Sequence, residues 1–96
     1  MMVIPLKGGS VNAHQQITIQ LGDNLLTFSI NYLQSGQWSA DIEREGVSLI
    51  TGAMLEPNAD LTLTYPALNI GSLVFTGSNT TLDNLGSDNR LTWVAP

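Results

Sequence analysis

The chain contains no cysteine and one histidine. The first absence excludes a disulfide framework and any thiolate metal site. The second leaves His14 as the sole side chain that titrates near neutrality without help, so general acid–base chemistry has little to draw on. Bases are scarce as well: Lys7, Arg44 and Arg90 stand against eight acids for a formal charge of −5, which excludes nucleic-acid binding through a basic patch. Charged residues make up only 11% of the chain, less than half the ~25% of an ordinary soluble domain. No apolar run approaches the ~18 residues of a membrane-spanning helix, and Met1 to Leu6 lacks the charged and long apolar regions of a secretory leader. These absences predict a soluble domain made inside a cell, with no membrane span.

What fills the space is neutral and polar. Eight serines, nine threonines, eight asparagines and five glutamines accompany nine glycines and a 43% hydrophobic content. At 96 residues the chain can form one modest core, burying ~60–65% of the surface its unfolded form exposes. A single domain over residues 1–96 is expected.

Hydrophobic residues recur with period two, the signature of half-buried strands. Ile17, Ile19 and Leu21 alternate with Thr18 and Gln20; after Gly22-Asp23, suited to a primed hairpin turn, Leu26, Phe28, Ile30 and Tyr32 alternate with Thr27, Ser29 and Asn31. Trp38, Ala40 and Ile42 follow, then a turn closed by Gly46, then Val47 to Ile50. Glu56-Pro57-Asn58 is turn chemistry before Leu61, Leu63 and Tyr65 resume alternation, and Leu73 to Thr76 and Leu91 to Val94 complete the set. No window carries helical periodicity free of Gly, Pro or β-branched clusters. The fold class is therefore all-β, a small antiparallel barrel or sandwich of about seven to eight short strands. Its core should include Ile19, Phe28, Ile30, Trp38, Ile42, Leu49, Leu61 and Trp93. Met1 to Ser10 reads as an N-terminal arm, and Thr76 to Asp88 as a long surface loop.

Chemistry is harder to find. Asp41 and Glu43 point to one face of a strand, as a paired-carboxylate hydrolase would need, but that is the solvated face opposite Trp38 and Ile42. Asp83-Asn84-Leu85-Gly86-Ser87-Asp88 looks like a calcium loop yet lacks the ligand spacing and the distal Glu. Its acids and amides are better read as turn formers. No catalytic, cofactor-binding or metal-ligating residue is expected, and no cofactor. Apolar residues in expected loops are the larger anomaly. Val3, Ile4 and Leu6 in the arm and Leu68 and Ile70 between Pro66 and Gly71 would be exposed in a monomer, and exposed apolar clusters mark contact surfaces.

One ordered series of motifs adds to this reading: Phe28-Ser29-Ile30-Asn31-Tyr32, Trp38-x-x-Asp41-Ile42, Gly46-x-x-Leu49-x-x-Gly52-x-x-Leu55, Asp60-Leu61, and Leu85-Gly86-x-x-x-Arg90-Leu91-x-Trp93-Val94. Over residues 15 to 94 it resembles the small baseplate plug proteins of contractile-tailed bacteriophages. The resemblance implies a non-enzymatic virion structural protein at the tail hub, made in the host bacterial cytoplasm. Its partners would be baseplate hub and spike proteins, with the tail tube as a further neighbour, and it would be present in several copies of a symmetric assembly. Val3, Ile4, Leu6, Leu68, Ile70 and Arg90 are the candidate interface. The competing reading is a small carbohydrate-binding β-domain with Tyr32, Trp38, Tyr65 and Trp93 as a stacking platform.

Overall fold

The structure, a computed structural model, describes residues 1–63 and 65–96. Alternation becomes strand where it was expected, and the described residues form eight strands in two antiparallel four-stranded sheets. The strands are β1 (Met2–Ile4), β2 (His14–Leu21), β3 (Asn24–Tyr32), β4 (Trp38–Arg44), β5 (Val47–Met54), β6 (Ala59–Asp60), β7 (Ser72–Gly77) and β8 (Asn89–Val94). One sheet runs β1-β8-β7-β6 and the other is the meander β2-β3-β4-β5. Each sheet keeps two edges, so the body is a sandwich and not a closed barrel.

Each inner face is the apolar phase of its strands. Leu26, Phe28 and Ile30 of β3 with Trp38, Ala40 and Ile42 of β4 meet Leu73 and Phe75 of β7 with Leu91 and Trp93 of β8 in one buried cluster. Both two-residue hairpins are primed turns, the geometry whose twist matches that of the strands. Gly22 opens the first at φ 62, and Glu45 and Gly46 make the second at φ 52 and 80.

Leu49 departs from the expected phase, and the register shows why. Ala40 opposes Ala53 but Ile42 opposes Ile50 and Glu43 opposes Ser48, so β5 carries extra residues at Leu49 and at Thr51-Gly52. These bulges turn Ile50 into the core and leave Leu49 half-buried against it. Gly52 supplies φ 69 at the bulge, and its N–H donates to Asp41 Oδ1 at 2.7 Å. Ile19 is also half-buried, because β2 is an edge.

Two expectations are corrected. The strand expected through Leu61, Leu63 and Tyr65 does not form, Thr64 lying outside the described residues. Asp60 Oδ1 accepts the Thr62 N–H at 2.9 Å and the Thr62 hydroxyl at 2.7 Å, diverting the backbone into a turn in place of a ladder. Leu61 stays buried while Leu63 is 75% exposed. The N-terminal arm is likewise no free arm. Met2, Val3 and Ile4 pair with Trp93, Thr92 and Leu91, and Ile4 is 1% exposed. Leu6 then packs beneath the loop after β7. Gly86 comes so close that any Cβ there would strike the Leu6 carbonyl oxygen, and at φ 82 glycine is needed twice over.

Deleting residues 2–7 should therefore destabilise the fold strongly, and Ile4→Ala alone should cost ~2–5 kcal/mol. Urea unfolding measures both, and a truncated chain that unfolds at the wild-type midpoint would refute the placement of β1.

Candidate functional site

The candidates for chemistry are scattered. His14 is exposed at the start of β2, its Nδ1 in hydrogen-bond contact with Asn31 Oδ1 on β3. Among the described residues, no three of His, Asp and Glu converge as a metal site would require. Asp41 is committed to the β5 bulge through Gly52, and its neighbour Glu43 lies opposite Ser48. A notch of about 200 Å³ lies between Ser35-Gly36-Gln37, Leu55-Glu56-Pro57 and Asn79-Thr80. It is below the ~300 Å³ at which ligand pockets begin, and Glu56 is its one ionisable lining group. Nothing there pairs an acid with a base.

The loop with a calcium-like sequence holds itself together instead. Asn84 accepts the Thr81 N–H at 2.7 Å through Oδ1 and donates to the Asn79 carbonyl at 2.9 Å through Nδ2. Asn89, buried at 4% exposure, accepts the Gly86 N–H at 2.8 Å and donates to the Ser78 carbonyl at 3.3 Å. These amides replace the sheet ladder that the loop backbone lacks. The loop is bound to the body by Trp38, whose indole N–H donates to the Thr81 carbonyl at 2.9 Å, and by the Thr80 hydroxyl, which donates to the Gly36 carbonyl at 2.6 Å.

The aromatic platform does not form. Trp38 is fully buried and Trp93 is 8% exposed, with its N–H donated to the Ile70 carbonyl at 2.7 Å. Tyr32 is half-buried against the core and meets Trp38 edge-on with ring centroids 5.3 Å apart. Tyr65 alone is left toward solvent. A sugar would find no adjacent pair of faces.

The candidate interface divides in two. Ile4, Leu6 and Ile70 are core residues, which corrects their expected exposure: the segments carrying them fold over the sandwich and complete it. Leu68 sits in a 3₁₀ turn, Pro66–Leu68, half-buried against that core. Val3 and Arg90 remain exposed, on the outer face of the first sheet. Register adds what the sequence reading missed. Val3 opposes Thr92, which opposes Val74, and Val94 opposes Ser72, so one outer face carries a stripe of β-branched side chains. Val3 is 51% and Val94 42% exposed. Val94 follows inward Trp93 on β8 and so faces outward, but only the pairing of β1 with β8 brings Val3 beside it.

The whole of the chain, residues 1–96, matches the family described as cyanophage baseplate Pam3 plug gp18. The chain belongs to this family. No curated protein matches it. Membership makes it a structural component of the phage baseplate and implies association with other baseplate proteins. For a baseplate plug, an amide-stapled loop and an outer face with few charges are consistent parts, since both present shape and hydrogen bonds.

The staples have a measurable worth. Asn89→Ala removes partners from the Gly86 N–H and the Ser78 carbonyl and should cost ~1–3 kcal/mol. The melting temperature of the wild type should be the same in excess calcium and in excess chelator. A calcium-dependent rise would mean that the loop ligates an ion.

Proposed function

We propose that the chain is a plug-like component at the tail hub of a contractile-tailed phage, acting by docking alone. It meets hub or spike proteins, in several symmetric copies, through the outer face of the β1-β8-β7-β6 sheet. The observation that carries this reading is the family match over residues 1–96 together with the Val3-Thr92-Val74 row and Val94, a β-branched stripe exposed at Val3 and Val94 and bordered by Arg90 and Asp60. Arg90, opposite Thr76 on the same face, brings one of three basic residues to an acidic chain. At a rim it would steer and orient a partner more than add affinity. Leu68 lies outside this face and belongs to the support of the core. Catalysis has no place in the proposal, because the acids are dispersed and His14 is paired with a neutral amide.

The test is a double variant, Val3→Lys with Val94→Lys. Both positions face outward, so stability should change by no more than ~0.5 kcal/mol per site. Placing two ammonium groups in a desolvated contact should lower the amount of chain in purified baseplates at least ~10-fold. A photo-crosslinking residue at position 3 should form adducts with a hub or spike chain. Normal incorporation of the double variant would refute this surface.

A further inference from the structure

The meander sheet has two edges of different character. The β5 edge is bulged at Leu49 and at Thr51-Gly52, which interrupts its backbone ladder. The β2 edge runs eight residues, His14–Leu21, in unbroken register with β3. It contains no proline, no bulge and no Lys, Arg, Asp or Glu, none of the usual protections of a free edge.

The parity of its hydrogen bonds is fixed. The Tyr32 N–H donates to the Ala13 carbonyl at 2.7 Å, and with His14 opposite Asn31 this makes alternate positions 15, 17, 19 and 21 face β3. The N–H and C=O groups of His14, Gln16, Thr18 and Gln20 therefore point away from the sheet. Their side chains are exposed on its outer face, where Thr18 and Thr27 hydroxyls meet at 3.0 Å. The inner-phase residues Ile17 and Ile19 are only half-buried, because no strand stands beyond them.

We infer that β2 is a docking edge that accepts an extended segment of another baseplate protein as a fifth strand. This rests on the baseplate reading of the family but not on the outer-face contact proposed above. A row of alternating donors and acceptors at strand spacing is matched only by another extended backbone. The segment's side chains are constrained too. On the inner phase it needs apolar residues to cover Ile17 and Ile19. On the outer phase it meets the exposed, neutral side chains of Gln16, Thr18 and Gln20, so polar residues suit it there; Asp41 and Glu43 of β4 stand three strands from it, about 14 Å, too far to set its charge. Between them β2 and β3 carry no Lys, Arg, Asp or Glu. Membership of a baseplate family favours another baseplate protein as occupant, and a second copy would add a further −5 to the contact.

Deuterium uptake over residues 13–21 tests this, compared between the free protein and purified baseplates. In the baseplate the amides of Gln16, Thr18 and Gln20 should exchange at least ~100-fold more slowly than in the free protein. Equal uptake in the two states overturns the inference. Concentration-dependent protection in the free protein also overturns it, assigning the edge to a second copy. Gln16→Pro supplies an independent arm: it removes one outward N–H and none of the ladder to β3. It should melt within a few degrees of wild type and be depleted from baseplates; a folded variant incorporated at the wild-type level is contrary to the proposal. If the wild-type chain is itself missing from baseplates, the proposed function falls and takes this inference with it. Presence with unprotected β2 amides removes this inference alone.

Discussion

A buried indole must give its N–H to an acceptor, and in this protein that requirement organises the fold around Trp38. The ring fills the core with no solvent exposure, while Nε1 reaches the carbonyl of Thr81, 43 residues away and in the loop between β7 and β8. An unpaired N–H in that position would cost ~1–3 kcal/mol. The loop must therefore lie across the end of the sandwich where β4 begins. Once there, it covers the β1–β2 connection: the Gly9 N–H donates to the Leu82 carbonyl at 2.7 Å, and Gly86 stands over Leu6. Strand β1, placed by this contact and by its pairing with β8, closes one side of its sheet.

The odd composition follows from this arrangement. A loop as long as residues 78–88 has no ladder for its backbone, and it satisfies these groups with asparagine and threonine side chains in place of charges. Among the described residues no buried side-chain polar atom lacks a partner. Neutral amides and hydroxyls accomplish this without the desolvation cost of ions. They also leave an outer surface with few charges, on which apolar and polar contacts can form at little desolvation cost.

Much of the fold was legible in the sequence, and the failures have local causes. Period-two alternation located β2, β3, β4, β7 and β8, and the inward phase of Phe28, Ile30, Trp38 and Ile42 was readable from spacing alone. Leu49 misled because a bulge changes phase within a strand, and the only trace of it is Gly52. Leu61, Leu63 and Tyr65 misled because one carboxylate, Asp60, captures a backbone N–H that alternation would assign to a ladder. Ile4, Leu6 and Ile70 looked exposed because their partners, β8 and the Leu85-Gly86 turn, are distant in sequence. The same nonlocality hid the Val3-Thr92-Val74 row, which exists only through sheet order. The family was recognisable from its ordered motifs, whereas the surfaces available to partners required the register.

The central claim is that the Trp38 indole N–H holds the loop, and through it the N-terminal strand, in place. The most direct measurement is amide exchange in Trp38→Phe, which keeps an aromatic ring in the core and deletes the donor. The account predicts a loss of ~1–3 kcal/mol accompanied by faster exchange at Gly9 and Asn84, with the amides between β2 and β3 still protected. Unchanged protection of Gly9 in a variant that unfolds at the wild-type denaturant midpoint would contradict it.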